Sequence, residues 1–171
     1  ITIPVVVHIV YKNATENLSD DYVTAQIDLL NKSYLRQNSD TTNLRTEFIS
    51  IAGKANVQFM LSQIVRKSTT ESNFIFDYDA FNNNYADNVK YTSTGGSDAI
   101  SPDKKLNIWV CDLGLPAGQG ELLGFAYPPT GLANWGWGNQ VGNAIDGVVI
   151  DYIAFGGTSK LPKGNATYGT V

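Results

Sequence analysis

Residues 1–11 read ITIPVVVHIVY, and residues 18–34 read LSDDYVTAQIDLLNKSY. The first stretch is rich in β-branched residues and apolar at odd and even positions alike. That pattern suits a strand buried on both faces of a parallel or mixed sheet. Pro4 stands near its start, where a missing N–H is tolerated. In the second stretch Ser19 is placed as a helix N-cap, with Asp20 and Asp21 in the first turn, where carboxylates favour the helix dipole. Leu18 is positioned to staple onto Val23. Val23, Ile27, Leu30 and Tyr34 then recur as one apolar stripe at helical spacing. The helix is expected to close at Gln37 and Asn38. A two-sided strand followed by a one-sided helix implies a sheet with a helix laid against it.

Outward from this pair, a shorter helix is expected through Leu44, Phe48 and Ile51, with Gly53 just past its end. Residues 56–65 alternate, placing Val57, Phe59, Leu61 and Val65 on one face of a second strand. Residues 66–105 are polar and rich in Asn, Asp, Ser and Thr. So long a stretch without structure is unusual in a compact domain, so Phe74, Phe76, Tyr78 and Phe81 are expected to pin parts of it to the core. Further strands are expected over 106–113 (LNIWVCDL), 122–127 (LLGFAY) and 146–155 (DGVVIDYIAF). Pro128 and Pro129 end the second of these. The glycine-punctuated tail, 156–171, is left unassigned. The expected fold is α/β: a twisted, mixed, mostly parallel five-stranded sheet backed by one long helix.

The chain has 171 residues, 43% of them hydrophobic and 16% charged. That length suits one domain or a large part of one, and the balance suits a packed core rather than a disordered chain. Net charge is −4, and no basic run occurs, which argues against nucleic acid as a partner. The longest apolar run, 5–10, contains His8 and is far too short to span a bilayer, so no membrane partner is expected. The N-terminus lacks the basic region and cleavage pattern of a signal peptide. Cys111 is the one cysteine, so no internal disulfide can form, which weakly disfavours a disulfide-stapled secreted module.

Most catalytic templates fail on counting. His8 is the single histidine, whereas an H-E-x-x-H zinc peptidase needs two, one helical turn apart, and a further ligand. His8 and Cys111 both lie within apolar strands and are read as a hydrogen-bonded core histidine and a buried thiol, rather than as metal ligands or a dyad. No G-x-S-x-G elbow is present. Residues 114–120 (GLPAGQG) lead into a strand, not a helix, which is wrong for a phosphate loop. Asp77 and Asp79 hint at a calcium loop, but Phe81 stands where a third oxygen ligand is required. N-x-S/T tripeptides begin at Asn13, Asn17, Asn31 and Asn165 and matter only in a eukaryotic secretory pathway. Trp135, Trp137 and Tyr127 form either a stacking patch for a partner or a cover over the sheet end.

Several stretches together resemble the pappalysin family of metzincin-clan zinc metallopeptidases. IPVVVHIVY and LSDDYVTAQIDLLNKSYLRQNSD are similar to that family's first strand and long backing helix. GGSDAISPDKKLNIWVCDLG is similar to its third-strand region, LLGFAYPP to its upper-rim strand, and DGVVIDYIAFG to the strand that leads toward the zinc helix. The matches come in the family's order and cover most of the chain, with residues 66–90 the weakest part. The resemblance implies that residues 1–171 are one unit, the N-terminal part of a catalytic domain that ends before the zinc-binding helix. It further implies that the intact protein is a secreted, zinc-dependent endopeptidase, whereas this chain alone carries no metal ligands and does not cut peptides. It also implies that Leu123, Gly124, Phe125, Ala126 and Tyr127 pair with the backbone of an extended peptide substrate by β-augmentation. An apolar surface left open near the carboxyl end implies self-association. The alternative, from the residues alone, is a non-catalytic extracellular binding or adhesion module with an aromatic surface patch.

Overall fold

A computed structural model describes residues 1–77, 85–127 and 146–156. Its elements are β1 (Thr2–Tyr11), α1 (Asp20–Tyr34), α2 (Thr46–Ile49), β2 (Gln58–Ser68), β3 (Phe74–Ile75), β4 (Leu106–Cys111), β5 (Leu113–Gly114), β6 (Gly124–Ala126) and β7 (Val148–Asp151). Five of the strands form one sheet in the order β2-β1-β4-β7-β6. The pairings β1–β2, β1–β4 and β4–β7 are parallel, and β6 joins β7 antiparallel. This is the mixed, mostly parallel five-stranded sheet that the sequence implies, with α1 as its long helix. Among the described residues no helix is long and apolar enough to cross a membrane.

β1 runs through the middle of the parallel part, and residues 5–10 are all buried. Alternation divides them between two cores. Val5, Val7 and Ile9 meet Val23 and Ile27 of α1, with Ile108, Val110 and Ile150 alongside. On the opposite face Val10 joins Trp109, Cys111 and Val149, packed with Phe74, Phe76, Ala86 and Val89. Among the described residues no long helix covers that second face. The covering comes from β3 and a 3-10 helix at Tyr85–Lys90, against which a second 3-10 turn at Thr92–Thr94 rests. The anchoring expected of Phe74 and Phe76 is therefore found, while Tyr78 and Phe81 lie outside the described residues.

The element ends differ from expectation for identifiable reasons. α1 stops at Tyr34 because Arg36 turns left-handed, with φ 55°. Its N–H donates to Ser33 O and that of Gln37 to Lys32 O, which is a Schellman closure built without glycine. At the other end Ser19 makes no side-chain cap. Instead Arg66 donates to Leu18 O and Asp20 Oδ1, both at 2.6 Å, tying the helix start to β2. α2 is a single turn, and Phe48, Ile49 and Ile51 around it are exposed. The register of β2 on β1 slips between Leu61 and Gln63. That bulge reverses the alternation, so Ile64 rather than Val65 follows Leu61 into the helix-side core. β4 ends at Cys111, and Leu113 and Gly114 pair with β3 instead. β7 ends at Asp151, whose side chain accepts the Ile153 N–H at 2.9 Å and draws the chain into a turn.

Replacing Ile9 with alanine removes a fully buried side chain from the central strand, which is expected to cost about 2–5 kcal/mol. Replacing the exposed Ile51 is expected to change stability by less than about 0.5 kcal/mol. Urea unfolding followed by circular dichroism reads both values.

Candidate functional site

His8 occupies the middle of β1 and is fully buried. Its Nε2 lies 3.0 Å from Asn107 Oδ1 and its Nδ1 lies 2.8 Å from Ser97 Oγ. Asn107 Oδ1 also accepts the Ile100 N–H, while its Nδ2 donates to the carbonyls of Ile100 and Lys105. That fixes the amide, so His8 donates through Nε2 and receives the Ser97 hydroxyl at Nδ1. The ring stacks on Trp109, with centroids 5.1 Å apart, and Trp109 Nε1 donates to Ser97 O. Gly96 beside Ser97 has no room for a side chain, since a Cβ would sit 2.0 Å from Val89 O. The residue types suggest a hydrolytic triad, but every member is buried. The network instead fastens residues 95–107 onto the sheet.

Burial depresses the His8 pKa from 6.5, against weaker opposing effects from the Asn107 bond and the Asp98 charge. Burial, with the charges of Asp151, Asp112 and Glu16, pushes the Cys111 thiol well above its ordinary range. Both His8 nitrogens are engaged and Cys111 is held as a thiol, which fits a core histidine and an inert cysteine. Among the described residues no group of three or more His, Cys, Asp or Glu side chains can hold a metal. Asp77 is described, while Asp79, Asn165, Trp135 and Trp137 lie outside the described residues. Of the sequon asparagines, Asn31 has its amide committed to β2: it donates to Phe59 O at 2.9 Å and accepts the Phe59 N–H at 2.7 Å.

The two edges of the sheet are therefore unlike. The β2 edge is blunted by the Asn31 amide. β6 has β7 on one side and, among the described residues, no strand on the other. Gly124, Phe125 and Ala126 face Ile150, Val149 and Val148. Leu123 O accepts the Asp151 N–H at 2.9 Å. Antiparallel pairs alternate, so Leu123 and Phe125 turn their backbone groups toward β7, and Gly124 and Ala126 turn theirs to the open side. Gly124 lies so close to β7 that a Cβ would come within 2.7 Å of Val149 O. Its lack of a side chain is thus already used by the neighbouring strand. Ala126 is exposed. Phe125 packs on Phe76 with centroids 4.7 Å apart, and Tyr127 donates its hydroxyl to Asp87 Oδ2 at 2.8 Å. Beside β6, on the α1 face, an apolar groove of about 450 Å³ is lined by Leu30, Tyr34, Phe59, Ile108, Leu123 and Ile150 among others. The sequence alone did not reveal Ser97, Asn107 or this groove. Ser97 sits in a polar stretch with no spacing signal, Asn107 is a lone polar residue in the apolar strand LNIWVC, and the groove depends on tertiary packing.

Stability should fall as pH drops below about 6.5. The unfolded chain then binds a proton at His8 that the folded chain resists, so the loss runs from 6.5 down to the lowered folded value. Melting temperatures from pH 8 to pH 5 should show this slope, and His8→Gln should flatten it.

No protein-family model matches the chain, and no curated protein matches it. Solved structures do. Mirolysin in complex with a compound superposes with a TM-score of 0.77 at 36% identity, covering 94% of this chain and 56% of that one. Tannerella forsythia mature mirolysin in complex with a cleaved peptide gives 0.75 at 34% identity, covering 99% of this chain and 57% of that one. A Tannerella forsythia promirolysin mutant gives 0.75 at 34%, covering 99% and 50%. The chain thus spans 50–57% of the length of these proteins. Over nearly all its residues it has the fold, and about a third of the sequence, of part of mirolysin, a metzincin-type zinc metallopeptidase.

Proposed function

We propose that residues 1–171 are the N-terminal part of the catalytic domain of a secreted, pappalysin-type zinc metalloendopeptidase, in which β6 forms the upper rim of the substrate cleft. The observation that carries this is the outer side of β6, which no strand occupies among the described residues, in a chain similar to a protein solved with a cleaved peptide. The outward N–H and C=O groups of Gly124 and Ala126 offer an extended peptide the ladder of one more strand. Leu123, Phe125 and Tyr127 fix that edge from behind. Hydrolysis itself needs ligands that this chain does not supply, because its one histidine is enclosed by Ser97 and Asn107. Zinc, if held by residues outside this chain, would supply the Lewis-acid chemistry that activates water for that hydrolysis. The apolar groove beside β6 is the surface through which the isolated chain self-associates.

Ala126→Pro removes one outward N–H and leaves the pairing with β7 unaltered. Titration of the labelled chain with an extended, uncharged peptide, followed by amide shifts, should show binding that this substitution weakens by about tenfold, the loss of roughly one well-made hydrogen bond. Unweakened binding would exclude β6 as the docking strand. Added zinc should produce no peptide hydrolysis above a protein-free blank, and measurable turnover would refute the assignment of the metal site to another part of the protein.

A further inference from the structure

Lys90 ends the 3-10 helix Tyr85–Lys90, and its side chain is wholly buried. Burying an ammonium is costly unless its surroundings compensate. Two kinds of partner do so here. Asp87 Oδ1 lies 3.3 Å away, one helical turn back. Three ring faces surround the nitrogen, with centroids at 4.5 Å for Tyr127, 5.1 Å for Phe125 and 5.6 Å for Trp109. Each ring presents its negative face to the cation. Asp87 closes the circuit, because its Oδ2 accepts the Tyr127 hydroxyl.

These contacts are distributed unevenly over the fold. Trp109 belongs to β4, but Phe125 lies in β6 and Tyr127 directly follows it. β6 has three residues and, among the described residues, one strand partner. So short a strand is weakly held by its ladder alone. An apolar side chain at position 90 would fill the same space without orienting the rings. We propose that Lys90 is the positioning residue of β6, its ammonium gathering Trp109, Phe125 and Tyr127 about one point so that the open edge stands in a fixed register. The consequence for peptide binding rests on the reading of β6 given above, whereas the positioning itself does not. Burial lowers the Lys90 pKa while the Asp87 and Asp146 charges oppose that fall. Burial, with the Asp87 charge and hydrogen bond, raises that of Tyr127.

The test compares wild type with the double variant Asp87→Asn/Lys90→Met. Removing both charges avoids the stranded carboxylate that Lys90→Met alone would leave, and such paired replacements are often tolerated. Tyr127→Leu, at a half-buried position, serves as a second probe that keeps the Lys90–Asp87 pair but removes the ring nearest the ammonium and the hydroxyl that Asp87 accepts. Amide hydrogen exchange is read at Phe125 and Asp151, whose N–H groups hold β6 to β7, and at Val7 and Ile108 as controls. Both variants should exchange about tenfold faster at Phe125 and Asp151 with the controls unchanged, the size expected from losing desolvated cation–π contacts. Rates unchanged at Phe125 and Asp151, or raised equally at all four positions, would overturn the proposal, the latter because it marks a general core role. Extended-peptide affinity should fall in step. If wild type binds no extended peptide while exchange still accelerates locally, the peptide reading fails and the positioning role stands. If wild type binds peptide and both variants bind equally with unaltered exchange, the positioning role fails alone.

Discussion

A central parallel strand must be sealed from water on both faces, and β1 imposes that demand on this chain. Its two parallel neighbours satisfy its backbone, so its side chains decide what else must pack nearby. One face takes the apolar stripe of α1, joined by Leu18 and residues 152–155. The other is covered by irregular chain from residues 74–105, which lacks a stripe of its own and has to be fastened point by point. Phe74 and Phe76 are apolar fasteners, the His8–Ser97–Asn107 network is a polar one, and Lys90 is an ionic one. Buried polar groups of this kind are tolerated only when satisfied, and they then fix one arrangement of the loop over its alternatives.

The same logic accounts for the asymmetry of the edges. An unpaired strand edge invites other chains, and proteins usually blunt it. β2, at 11 residues, is long enough to be a hazard, and the Asn31 amide occupies the backbone groups of Phe59. β6 is short, antiparallel to its neighbour and supported from behind by aromatic rings. A short edge held rigidly is a poor site for aggregation and a good one for a single extended peptide, because little ordering remains to be done on binding.

The sheet was legible in the sequence because buried parallel strands carry a dense β-branched signal, and ITIPVVVHIVY, LNIWVC and VVID each carry it. α1 was legible from its stripe. Its closure was not, because Arg36 takes the left-handed conformation that glycine normally marks. The reversal of phase in β2 was hidden for a similar reason: a bulge depends on pairing with β1 and leaves no local mark. The strand at 122–127 was legible from its apolar run and the prolines that follow, whereas the peptide-pairing role of Leu123–Tyr127 came only from the resemblance, and no pattern within those five residues signals it. Its Lys90 support was invisible, since a lysine followed by tyrosine in a polar segment reads as solvated surface until the fold brings Trp109, Phe125 and Tyr127 around it.

Isotope-filtered nuclear Overhauser spectra of the labelled chain with an unlabelled extended peptide bear most directly on β6 as a peptide-pairing edge. The account predicts intermolecular backbone contacts at Gly124 and Ala126 that skip Phe125, together with intramolecular contacts from Gly124 to Ile150. Peptide contacts confined to the exposed Phe48–Ile51 region, or a second strand of the chain itself against the outer side of β6, would contradict it.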